Sequence, residues 1–255
     1  MQLELNEKIN ILQNEADNLH AVVLHGDPKN TAFCAGADLK EVHAIVNYHN
    51  QQRKENTCNN DNDKLSIPMF QFMQENAKNF KNLPCPTFSY INGPAFGGGS
   101  ELTTWTDLRI IENGTNNNSP YQSKVSFAHK HMGLSPSWNG GIYLSEILNS
   151  KAKAYKIISS AEIMKPEKLM EIGFGDILLE DDKNKNTSLS NNEILQEILT
   201  EEIKPFLGRS VEQSHAFKAC LNEDKYQLEV ASNLMGRELN VRSVQKAFDR
   251  VVNKK

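Results

Sequence analysis

The feature that most constrains this chain is a run of three glycines, Gly97, Gly98 and Gly99, set between two apolar, β-prone segments. Upstream, residues 87–91 (TFSYI) read as a short strand of alternating apolar character. Residues 92–99 (NGPAFGGG) read as a turn, with an Asn-Gly pair, a proline and the glycines. Residues 100–106 read as a short helix and 108–111 as a second strand. Glycines between a strand and a helix start let the backbone pass close to a bound group. The first amides of a helix have no internal acceptor and lie at the positive end of its dipole. Such a turn suits developing negative charge, or it is a turn and nothing more.

A second small-residue turn lies upstream, over residues 32–39 (AFCAGADL). With the triple glycine it resembles the crotonase (enoyl-CoA hydratase/isomerase) superfamily, which pairs a phenylalanine-Gly-x-Asp turn with a Gly-Gly-Gly turn. In that family one backbone amide from each turn forms an oxyanion hole for an acyl-CoA thioester. Carried over by position, these are the amides of Ala37 and Gly98. The resemblance also implies that Ala35, Gly36, Ala37, Asp38 and Gly97 meet the CoA moiety. The segments ELTTWTDLRI (101–110) and FAHKHMGLSPSWNGG (127–141) further resemble the family's ethylmalonyl-CoA decarboxylase branch. The similarity runs from about residue 3 to about residue 254.

The resemblance implies an α/β fold, a superhelix of ββα turns followed by helices that make trimer contacts and cover the CoA site. It implies a homotrimer or a dimer of trimers, and an acyl-CoA substrate with no separate cofactor. It points to a cytosolic protein that removes carboxylated side products of fatty acid synthesis. A mitochondrial location stays open if residues precede Met1. The family's strand pair before the first helix has no counterpart here, so an incomplete chain is the favoured reading, against a sheet that truly lacks an edge.

The reaction depends on the acid/base residues. Family hydratases use two glutamates, one just after the triple glycine and one in the later motif. Glu101 stands at the first position; in the frame set by Gly133 and Pro136, His129 stands at the second. One carboxylate and one imidazole cannot run the paired-glutamate addition of water in the same way. Decarboxylation needs less: the departing carboxylate must stand out of the thioester plane, and a proton donor must finish the product. An imidazole, with an ordinary pKa of about 6.5, can bind a carboxylate or relay a proton. His129 is expected at the end of a strand led by Val125 and Phe127, whose alternation would turn Lys130 away. The plainer readings are a satisfied buried histidine at 129, helix capping by Glu101, and simple packing by Trp138 instead of lining the acyl pocket. A hydratase or isomerase, or a catalytically silent binding protein, are the alternatives to the decarboxylase.

The rest of the chain agrees with this architecture. A length of 255 residues holds a sizeable core, and a net charge of −4 gives no broad basic face for nucleic acid. No apolar run approaches the roughly 20 residues of a membrane helix, so no membrane partner is expected. The four cysteines show neither a CxxC pair nor metal spacing, and the histidines none either, so no metal is expected. Leu5, Ile9, Leu12, Ala16 and Leu19 mark an amphipathic first helix, and HAVVLH (20–25) a buried strand. A helix is expected over 38–46 and another from Ser66 to about Leu83. Further helices are expected over 138–148, 151–159 and 166–172, with a strand over 175–179. The spiral core is assigned to 1–180, with polar insertions at 47–64 and 113–123, the first a lid or simply disordered. Residues 181–192 are assigned as a linker, and 193–255 as helical and trimer-forming.

Overall fold

A computed structural model describes residues 2–27, 30–36, 38, 47, 66–114, 122–179 and 200–221. Apart from residues 38 and 47, the expected helix over 38–46 and the insertion at 47–64 lie outside them, as do the 181–192 linker and, except for 200–221, the helical region expected over 193–255.

Helix α1 (Gln2–Asn14) buries Ile9 completely and lays Leu5 and Leu12 beside it. Strand β1 (Val22–His25) follows, and then α2 (Ser66–Lys81). Met73, Ala77 and Phe80 recur on α2 at spacings of four and three, and all three are buried. That stripe is the helix's reason for docking.

Strand β2 (Thr87–Ile91) is buried at every position. A strand covered on both faces belongs inside a parallel sheet. It pairs in parallel with β1 on one side and with β4 (Leu108–Glu112) on the other. Strand β6 (Ile177–Leu179) completes the order β1-β2-β4-β6. Among the described residues β1 is paired on one side only.

A second, smaller sheet pairs β3 (Pro94–Phe96) with β5 (Lys124–Ser126), also in parallel. Cys34 extends it through a parallel bridge to Ala95. Each winding of the chain thus leaves one segment in each sheet: β1 and Cys34, β2 and β3, β4 and β5. This is the expected α/β superhelix, and it brings the two small-residue turns side by side.

The sheet's two faces bury separate cores. Ile91 and Ile111 join the large cluster with α1, α2 and Trp105, while Phe88, Tyr90, Ile110 and Leu179 join Ile203 on the other face. Helix α7 (Val211–Ala219) is tied down beside that face. The Lys218 ammonium lies 2.8 Å from the Asp107 carboxylate, and His215 Nε2 lies 2.9 Å from the Leu19 carbonyl oxygen. Arg109 is buried and pairs with Asp176 at 2.5 Å, while its Nε donates to the Phe174 carbonyl at 2.6 Å. Desolvation pulls its pKa below the usual guanidinium value, and Asp176 opposes that shift.

Four expectations need correction. The turn over 92–99 contains β3, too short to show a period. Helix α3 (Gly98–Leu102) starts inside the glycine run and stops before the expected 106. The Thr103 and Thr104 hydroxyls each donate to the carbonyl three residues back, at 2.7 Å, competing with the helix for its acceptors. Residues 128–132 form a 3-10 helix and not a strand, so His129 is presented by a tight turn. The 113–123 insertion ends earlier than expected, because Ser123 is buried and its hydroxyl donates to the Ile91 carbonyl.

Candidate active site

The two turns are joined through backbone. Cys34 accepts from the Phe96 amide at 3.0 Å and donates to the Pro94 carbonyl at 3.1 Å. Gly36 takes φ +93°, and a β-carbon there would stand 2.7 Å from the Phe96 oxygen and 3.3 Å from the Gly98 nitrogen. The first turn therefore passes directly beside the Gly98 amide, and only glycine permits the approach. Gly97 precedes α3 at φ +54°, and its amide is engaged by the Ser126 carbonyl at 3.0 Å. The Gly98 amide opens α3 and has no acceptor among the described residues. Ala35 and Asp38 are exposed on the first turn. Ala37, the expected second donor, lies outside the described residues.

Glu101 projects from α3 into the interior, at 1% exposure. Its Oε1 accepts from His129 Nε2 at 3.0 Å and from the Ser137 amide at 3.2 Å. Its Oε2 accepts from the Trp138 amide at 2.7 Å and from the Gly140 amide at 2.9 Å. A carboxylate offers about four lone-pair positions. All are taken, two on each oxygen, and none is left to receive a proton from water or substrate. The capping reading of Glu101 describes this geometry, with one difference: the helix it caps is α4 (Gly140–Ile147), not its own.

His129 is 9% exposed. A carboxylate partner accepts only, so the Nε2 beside Glu101 carries the proton. Nδ1 is buried and has no partner among the described residues. The free nitrogen of this imidazole is therefore Nδ1. Lys130 does point elsewhere, with Nζ donating to the Ser159 carbonyl at 2.7 Å, but the 3-10 turn is the cause and not strand alternation.

Trp138 precedes α4 and does not belong to it, contrary to the helix expected from 138. Its ring lies on Gly98, where a β-carbon would meet Cη2 and Cζ3 at 2.6 Å. The sequence left Trp138 between packing and pocket lining; its contact with Gly98 shows only in three dimensions. The same holds for Gln74, which no motif marks, and for Trp105, which lies in the 101–110 segment without an assigned role there. Gln74 Nε2 donates to the Ser137 carbonyl at 2.9 Å and Trp105 Nε1 to the Trp138 carbonyl at 3.0 Å. Among the described residues no cluster of three or more His, Cys, Asp or Glu is placed to hold a metal ion, and no helix is long and apolar enough to cross a membrane.

The family profile described as enoyl-CoA hydratase/isomerase matches residues 2–250. The chain belongs to that family. Enoyl-CoA hydratase/isomerase members of solved structure share its fold. A structure of an enoyl-CoA hydratase from Geobacillus kaustophilus superposes with a TM-score of 0.72 at 17% identity, over 98% of this chain and 84% of that one. One from Bacillus anthracis gives 0.66 at 19% identity, over 98% and 85%. Relatives of higher identity carry another name. An ethylmalonyl-CoA decarboxylase of Gallus gallus is 34% identical over 176 residues, 69% of this chain and 50% of that protein. That of Bos taurus is 31% identical over 225 residues, 88% and 64% respectively. The chain thus spans between half and two thirds of the length of these relatives.

Proposed function

We propose that this crotonase-fold chain decarboxylates a malonyl-type acyl-CoA, ethylmalonyl-CoA first and methylmalonyl-CoA second. The observation that carries the reading is the state of the two acid/base positions. Glu101 has no lone pair to spare, and the other position holds an imidazole whose Nδ1 is unpartnered. Hydration by two free carboxylates has no equivalent in this arrangement. The similarity to ethylmalonyl-CoA decarboxylases supports the substrate class.

In the proposed reaction the thioester oxygen accepts from the Gly98 amide and from that of Ala37. The bond from the α-carbon to the carboxylate carbon breaks, CO₂ departs, and its electron pair becomes the enolate, with charge on the thioester oxygen. A proton then adds to the α-carbon and gives the acyl-CoA. Two preorganised amides would stabilise the enolate, and losing one such donor typically costs on the order of 10²–10³ in rate. His129 would act through Nδ1, holding the substrate carboxylate when protonated or relaying the final proton. CoA is then part of the substrate, lying along Ala35, Gly36, Ala37, Asp38 and Gly97, and no separate cofactor is needed.

The proposed assembly is a homotrimer or a dimer of trimers. Exposed Phe217 on the docked α7 and Leu221 just beyond its end support an interface there. The proposed role is proofreading of carboxylated side products in the cytosol, on the resemblance alone. The deciding experiment measures CO₂ release from malonyl-, methylmalonyl- and ethylmalonyl-CoA beside hydration of crotonyl-CoA. Release from the substituted esters with negligible hydration is expected; the reverse result overturns the proposal.

A further inference from the structure

The loop over residues 137–139 has no regular structure, yet it and Gly140, where α4 begins, are pinned from both sides. Its amides at Ser137, Trp138 and Gly140 donate to Glu101. Its carbonyls at Ser137 and Trp138 accept from Gln74 and Trp105. Asn139 adds a bond back to the Gln74 carbonyl at 3.2 Å. What this loop presents is the Trp138 indole, 4% exposed and lying on the one glycine whose amide opens α3 without an acceptor. An indole has only two side-chain torsions, so a pinned backbone fixes the ring.

We infer that Trp138 is the wall that limits which acyl groups fit at the Gly98 amide, and that Glu101 is a positioning residue holding that wall. The inference rests on the acyl-CoA reading above. An acyl group whose oxygen takes the Gly98 amide competes for space with a ring already in contact with Gly98. The carboxylate sets the position of that ring through Oε2 and the Trp138 amide, and through Oε1 it orients His129. Gly140 is part of the device, because a β-carbon there would run into Glu101 Oε2 at 2.7 Å.

The test uses the full chain and saturated CoA esters, which bind without reacting. Calorimetric affinities for butyryl-CoA, octanoyl-CoA and free CoA are compared among wild type, Trp138→Phe, Trp138→Leu and Glu101→Gln, with thermal unfolding and turnover on ethylmalonyl-CoA measured beside them. The octanoyl-to-butyryl affinity ratio should rise about tenfold in the Trp138 variants, the scale of a pocket-size change. Affinity for free CoA should stay constant. Glu101→Gln should move the ratio the same way, although Trp138 itself is untouched. An unchanged ratio in folded Trp138→Phe overturns the wall. A Glu101→Gln protein with the wild-type ratio and lost turnover makes Glu101 an acid or base and overturns its positioning role. If Trp138→Leu fails to fold, Trp138→Phe carries the test. A wild type that binds neither ester better than free CoA overturns the acyl-CoA reading itself, a result distinct from an unshifted ratio.

Discussion

The α-carbon of Gly99 lies so close to the Cys34 carbonyl oxygen that no β-carbon fits between them. The two residues are far apart in sequence, yet their contact locks the first turn to the start of α3. It exists because Cys34 bridges Ala95, which sets the Phe96–Gly99 segment down across the first turn. The opposing atom is backbone and cannot move aside as a side chain can.

Gly99→Ala should therefore separate the two turns. Overpacking of this kind costs about 1–3 kcal/mol, and activity should fall further than stability because the proposed oxyanion site at the Gly98 amide would be disturbed. Thermal unfolding and acyl-CoA turnover measured on one preparation check this. Wild-type turnover in the variant would mean that the contact is dispensable.

His129→Ala should lower CO₂ release from ethylmalonyl-CoA by about a hundredfold, the lower range for a positioned acid/base group. Affinity for a saturated acyl-CoA should change little, because the glycine turns are untouched. His129→Glu should be slower still, since a carboxylate there repels the substrate's own. It would also press against Glu101, so its folding is checked by unfolding. Equal rates for wild type and His129→Ala return His129 to a packing role.

Arg109→Leu should destabilise the fold by about 1–3 kcal/mol, since it takes the Arg109 donor away from the Phe174 carbonyl inside the protein and removes the side-chain partner of the more exposed Asp176. Chemical denaturation measures it. The midpoint should move, whereas the chain-length preference for acyl esters should not. A variant as stable as wild type would show that the pair contributes nothing net.

Burial pushes the Cys34 thiol up, with the Gly36 backbone opposing. A raised pKa leaves less thiolate, the reactive form, at neutral pH. Alkylation of Cys34 should be slow at pH 7.5 and still climbing above the ordinary thiol value of about 8.5. Denaturing the protein should speed labelling of Cys34, and a bound acyl-CoA should slow it further. Mass spectrometry after timed iodoacetamide treatment resolves the sites. Labelling of Cys34 as fast in the folded protein as in the denatured one would contradict this.

Sedimentation of the full chain at micromolar concentration should show a trimer or a multiple of it. A monomer throughout would count against the proposed interface beyond residue 200.

The sequence by itself determined the parts that depend on local pattern and on small residues. Strand β2 matches the expected segment residue for residue, because a β-prone run of alternating apolar character is bounded by Pro86 and Asn92. The stripe on α2 and the starts of α5 (Lys151–Ser160) and α6 (Pro166–Glu171) were equally legible, from spacing and from Pro166. So was the family frame, since backbone chemistry selects glycines at fixed intervals. Tertiary structure alone decided what the side chains do. Whether Glu101 is a free base or a saturated anchor depends on four donors, three of them from a loop 36 to 39 residues away. No local pattern encodes that number. Strand β3 exists only because β5 and Cys34 lie beside it, and the 3-10 turn that presents His129 breaks the strand that periodicity predicts. Contacts between distant windings fixed which His129 nitrogen stays unpartnered and set Trp138 against Gly98; residue order gives the chemical groups but not their distances.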